Sequence, residues 1–153
     1  MAGILIIAHA PFATALRDCL AHVYCGLPPN IGAIDVLPDC EPSRLAAEAQ
    51  AEVERLRELN GVLVLSDVVG ATPCNIAARL AGLPDVRVLA GVSLPMLLRA
   101  VCYRTTPLEQ LAEKAVAGGV NGVQAVQSAA PAASSPFSCP AEHYAATDCH
   151  HHQ

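Results

Sequence analysis

The sequence predicts a single α/β domain: a mostly parallel sheet of strand order 2-1-3-4 plus a terminal strand, with helices on both faces. Three observations support this. Short aliphatic runs alternate regularly with stretches of helical period, which is the pattern of β-α units. The third such run, "GVLVLSD", is apolar on both of its faces, as a strand buried inside a parallel sheet must be. Hydrophobic residues make up 53% of the 153 positions while aromatics make up 3% and Trp is absent, so the core is built from Ala, Leu and Val.

Each element follows from local chemistry. Residues 3–8 form an aliphatic strand, and Phe12, Leu16, Cys19, Leu20 and Val23 then recur at helical spacing until Gly26. After the loop Pro28-Pro29-Asn30, "IGAIDVL" (31–37) is a second strand ended by Pro38. From Ser43 to Leu59, Leu45, Ala49, Val53, Leu56 and Leu59 mark one helix face, and Asn60-Gly61 closes it. "GVLVLSD" (61–67) is the third strand. In the following loop Thr72 reads as an N-cap and Pro73 as the first helical residue of a helix running to about Leu80. "VRVLAG" (86–91) is the fourth strand and "SLPMLLRAVCYR" the next helix. Thr106-Pro107-Leu108-Glu109 has the pattern of a capping box, opening a last helix that ends near Gly118-Gly119. "GVQAVQ" (122–127) can add a final strand. After Gln127 the chain turns to Ala, Ser and Pro without periodicity, so residues 128–153 read as a disordered tail to a domain over 1–127.

Composition excludes several classes. A formal charge of −5 and scattered Arg and Lys give no basic field for nucleic acid. The apolar start lacks a basic flank and is broken at His9 and Pro11 after about seven apolar residues, so it is neither a signal peptide nor a membrane insertion. The seven cysteines, at 19, 25, 40, 74, 102, 139 and 149, are odd in number with no C-x-x-C pair; they read as reduced thiols of a cytoplasmic protein.

The chemistry concentrates at strand ends. In open α/β sheets ligands collect outside the carboxyl ends of the strands where the connection order reverses, here between the first and third. His9 ends the first strand and Asp67 the third, 58 positions apart in sequence. An imidazole lone pair can attack phosphorus, and a carboxylate on the other ring N–H fixes the tautomer and stabilises the cation that forms. Gly70-Ala71-Thr72 leads into a helix N-terminus that favours an anion. Singly, a strand-end histidine is most often structural and an Asp before a Gly-containing loop is turn chemistry. Together they compose a phosphoryl site.

These residues resemble the IIA component of the mannose family of the bacterial phosphoenolpyruvate-dependent sugar phosphotransferase system. The resemblance is carried by "ILIIAHAPFA", "GVLVLSDVVGATPCNIAARL" and "VLAGVSLPMLLRA", in order and at matching distances, over roughly residues 1–126. It implies a flavodoxin-like fold and a phosphotransferase role in which His9 is phosphorylated by the carrier HPr and passes the group to a IIB-type acceptor, or acts as a regulatory sensor of phosphorylation state. It also implies that Asp67 orients His9, that Thr72 lies near the phosphoryl group, and that the chain forms a homodimer able to exchange its terminal strand. The family commonly has Gly where Ala10 stands, a polar residue where Val68 stands and Asn where Ser93 stands. Ser93 is thus placed with Gly70, Ala71 and Thr72 around the phosphoryl group. No metal or cofactor is demanded, since nucleophile and leaving group are both nitrogen.

Two other readings compete. A flavodoxin-like module could bind a nucleotide or flavin in the same crevice, but the chain has no G-x-G-x-x-G or Walker pattern and few aromatics to stack on a flavin. Cys139, His143, Cys149 and His150–His152 are metal donors without a scaffold. His22 reads as a solvent-facing or helix-end residue, and Arg79, Arg99 and Arg104 as residues of solvated helix faces.

Overall fold

The computed structural model describes residues 1–127; the cysteines and histidines of the proposed tail lie outside the described residues. Nine elements follow in the order β1 (Gly3–His9), α1 (Phe12–Val23), β2 (Ile31–Val36), α2 (Pro42–Leu56), β3 (Val62–Ser66), α3 (Thr72–Leu80), β4 (Val86–Ala90), α4 (Leu94–Tyr103) and α5 (Leu108–Asn121). The strands form one parallel sheet in the order β2-β1-β3-β4. The chain therefore steps outward to β2, returns past β1 and continues to β3 and β4, and the reversal falls between β1 and β3.

Alternation along the strands divides the core in two. Ile4, Ile6 and Ala8 of β1, with Leu63 and Leu65 of β3, pack against Leu16 and Leu20 of α1, Leu97 and Val101 of α4 and Leu111 of α5. Leu5, Ile7, Val62 and Val64 point to the other face, against Leu45, Val53 and Leu56 of α2 and Ile76 and Leu80 of α3. β1 and β3 are buried on both faces, which explains why their sequences are continuous apolar runs rather than alternating ones.

Several expectations change at element ends. α2 stops at Leu56, before Leu59, because Glu58 turns back to bridge Gly61; Leu59 is fully exposed. At α3 the N-cap is Ala71, with Thr72 the first helical residue and Pro73 the second, and no side chain caps this end. The Thr106 capping box does not form either: its hydroxyl donates to the Tyr103 carbonyl (2.8 Å), closing the end of α4, and α5 begins at Leu108 after Pro107. Gly118 and Gly119 do not end α5, which runs to Asn121. They let it approach α4: a Cβ on Gly118 would stand 2.5 Å from the Arg99 Cβ, and one on Gly119 2.8 Å from the Met96 Cε.

The expected terminal strand is absent among the described residues. Residues 123–127 have no regular structure and are exposed, so among the described residues β4 keeps one edge unpaired. Because α5 continues past its glycines, the alternating "GVQAVQ" leaves the helix without turning back along β4. The thiols also differ from expectation. Cys25 and Cys102 are disulfide-bonded, while Cys19, Cys40 and Cys74 are free. Cysteine spacing showed no close pair, but residues far apart in sequence meet through the fold.

Candidate functional site

β1 and β3 run parallel with Ile7 beside Ser66, so the next residues of each strand emerge together at the carboxyl edge. That register brings His9 and Asp67 into contact. His9 Nδ1 lies 2.6 Å from Asp67 Oδ2, and the His9 backbone N–H donates to the same oxygen at 2.9 Å. Asp67 Oδ1 accepts the Val68 N–H at 2.8 Å. The carboxylate is thus held by three groups, and its side chain is only 9% exposed whereas that of His9 is 55% exposed.

This environment sets the protonation of Asp67. Burial, the largest single influence on Asp67, pushes its carboxyl up; the His9 backbone N–H, the His9 ring, the Val68 N–H and the charge of the imidazole together hold it below the usual aspartate value. An ionised Asp67 accepts a proton-bearing Nδ1, which leaves the Nε2 lone pair of an exposed ring directed away from the carboxylate. The geometry is that of an oriented nucleophile or base.

Gly70, Ala71 and Thr72 form the turn into α3. Gly70 has φ 87°, a left-handed value suited to glycine, and the Ala71 N–H closes the turn on the Val68 carbonyl at 3.3 Å. With Ala71 as N-cap, Thr72 and Cys74 contribute amides that have no partner within the helix, and Pro73 between them has none to give. The Thr72 hydroxyl, exposed and free of a capping role, is available to a ligand. Ser93 is placed differently: it is the N-cap of α4 and accepts the Met96 N–H at 3.3 Å. Its loop is fastened to the end of β3, since Val92 and Gly91 donate to the carbonyls of Ser66 (2.9 Å) and Asp67 (2.8 Å).

The arginines lie elsewhere. Arg99 stacks over Tyr103 at 4.8 Å from the ring centre, Arg104 is buried and donates to the Pro29 carbonyl at 2.5 Å, and Arg79 is an exposed residue in the last turn of α3. His22 is exposed in the last turn of α1. Two features escaped the sequence reading. Asp35 of β2 bonds Thr14 of α1 through both carboxylate oxygens. Leu37, Phe12, Val68 and Val69, which follow the carboxyl ends of β2, β1 and β3, are exposed apolar side chains with 58%, 40%, 57% and 79% of their surface open. An expectation that apolar residues are buried hides the second feature, although their positions beyond strand ends were a signal.

The family model for the fructose IIA component of the phosphotransferase system matches residues 3–117. The chain belongs to this family. It is 32% identical over 130 residues to the mannose-specific EIIAB component of Escherichia coli, an alignment that takes in 78% of this chain and 40% of that protein; the chain thus spans well under half of this relative. Among solved structures, the phosphotransferase system component EIIA from Streptococcus agalactiae superposes with a TM-score of 0.73 at 27% identity, covering 82% of this chain and 97% of that one. The mannose/sorbose specific IIA subunit from Enterococcus faecalis shares the fold, with a TM-score of 0.74 at 22% identity over 86% and 98% of the two chains. Membership places the chain among the IIA components of the phosphotransferase system.

Proposed function

We propose that His9 is the residue that carries the phosphoryl group, taken from the phosphohistidine of HPr and passed to a IIB-type acceptor or held as a regulatory signal. The observation that carries this reading is the 2.6 Å contact between His9 Nδ1 and Asp67 at the carboxyl edge of the sheet. Nε2 attacks the phosphorus of the donor in line, the donor imidazole leaves with the bonding electron pair, and Asp67 stabilises the imidazolium through Nδ1–H. Thr72 Oγ1 and the free amides at the start of α3 receive the equatorial oxygens. Ser93 supplies its hydroxyl proton from the neighbouring loop, its oxygen being already engaged as a cap.

Two protein partners must meet His9 in turn, and the exposed Phe12, Leu37, Val68 and Val69 give them apolar surface around it. The site's makeup disfavours a flavin or nucleotide, since Phe12 is the one aromatic among the exposed apolar side chains described around His9. A homodimer fits the edge of β4 that is unpaired among the described residues, beside which an open groove of about 600 Å³ is lined by Leu89, Ala112, Val116 and Val120. No helix among the described residues is long and apolar enough to cross a membrane; a cytoplasmic carrier is the setting in which HPr would reach His9.

Incubation with labelled phosphoenolpyruvate, the first enzyme of the relay and HPr tests the reading. An acid-labile, alkali-stable label on the wild-type chain and none on folded His9→Ala is the expected result. Label that persists in His9→Ala would refute it.

A further inference from the structure

The turn that carries His9 is tied down by more than Asp67. Ala10 donates its N–H to the Val36 carbonyl of β2 at 3.1 Å, and Pro11, the N-cap of α1, has neither a backbone N–H nor a capping side chain. α1 therefore begins without a local cap. Asp35, which lies beside Ala8 in the β1–β2 register, supplies one from the neighbouring strand. Its Oδ1 accepts the Thr14 N–H at 3.1 Å and its Oδ2 accepts the Thr14 hydroxyl. Thr14 is the third helical residue, the position whose amide a capping side chain ordinarily takes. The carboxylate also stands at the positive end of the helix dipole.

We propose, on the reading that His9 carries the phosphoryl group, that Asp35 is a positioning residue for His9. The reactive histidine stands between two fixed points, the end of β1 and the first turn of α1. The first is held by the sheet; the second is held by the Asp35–Thr14 clamp. Releasing the clamp lets the first turn of α1 shift away from β2, and the four-residue link from His9 to Phe12 transmits that shift to the imidazole. A small loss of alignment at a reacting nitrogen lowers the rate of in-line transfer far more than it lowers partner binding.

The test uses the full chain with Asp35→Ala and with Asp35→Asn, which keeps an oxygen for the Thr14 amide. In Asp35→Ala, transfer to His9 at saturating HPr falls by about tenfold, with the half-saturating HPr concentration unchanged. Asp35→Asn recovers most of the rate. Two-bond ¹H–¹⁵N spectra of the His9 ring show one tautomer, protonated on Nδ1, in wild type and a mixture in Asp35→Ala. Wild-type transfer and ring spectra in folded Asp35→Ala would overturn the proposal, as would equal losses in the two variants. If the wild-type chain takes no phosphoryl group, the carrier reading fails, while the ring spectra still decide whether Asp35 positions His9.

Discussion

At the scale of single residues, Asp67 illustrates how a carboxylate can be both buried and ionised. Its folded pKa is held below the ordinary value, so its contribution to stability and to orienting His9 is complete above the unfolded aspartate value and is lost as pH falls through the folded one. Asp67→Ala is expected to slow phosphoryl transfer from HPr with the nucleophile still present, and to remove the Asp67 part of the acid-side loss of stability when urea unfolding is followed against pH. Its neighbour Ser66 has the opposite fate: it is fully buried and its hydroxyl has no partner among the described residues. Ser66→Ala should therefore raise stability by about 1 kcal/mol in urea unfolding, the scale of an unpaired buried hydroxyl. The His9–Asp67 pair was legible in the sequence because each residue ends an aliphatic run, and parallel order 2-1-3-4 places those ends side by side. Asp35 was not legible, since which helix a mid-strand residue faces depends on register and twist rather than on any local pattern.

At the scale of elements, strands were easier to read than helix ends. An aliphatic run has one physical explanation in a small α/β domain. A glycine or a Thr-Pro pair has several. Gly118-Gly119 matched a helix stop, yet the structure uses both for close passage of α5 over α4. Likewise Thr72 and Thr106 matched N-caps, but neither caps a helix: Thr106 donates to the Tyr103 carbonyl, and Thr72 is itself the first helical residue, with its side chain exposed. The packing account predicts that Gly118→Ala destabilises by about 1–3 kcal/mol through overpacking, although alanine favours helix. Gly82→Ala, where an added Cβ meets nothing within 4 Å, is the control and should be near neutral in the same unfolding experiment.

At the scale of the whole molecule, one sheet with two apolar faces fixes the positions of all the loops that matter. The helices bury both faces, so the only places for a polar site are the sheet's ends, and the strand-order reversal between β1 and β3 opens the carboxyl end. Beyond that end stand an imidazole held by a largely buried carboxylate and, one loop further along the chain, the uncapped start of α3. What the sequence left out at this scale was the behaviour of its later part: residues 123–127 do not add a strand, and Cys25 and Cys102 are oxidised. Both depend on contacts between parts of the chain remote in sequence.

The most direct measurement is ¹⁵N–³¹P NMR on the ¹⁵N-labelled chain after phosphorylation through HPr. The contact of Asp67 with Nδ1 predicts a phosphoryl group on His9 Nε2 with the proton retained on Nδ1. A phosphoryl group on Nδ1, on another residue, or on none despite a competent donor would contradict the account.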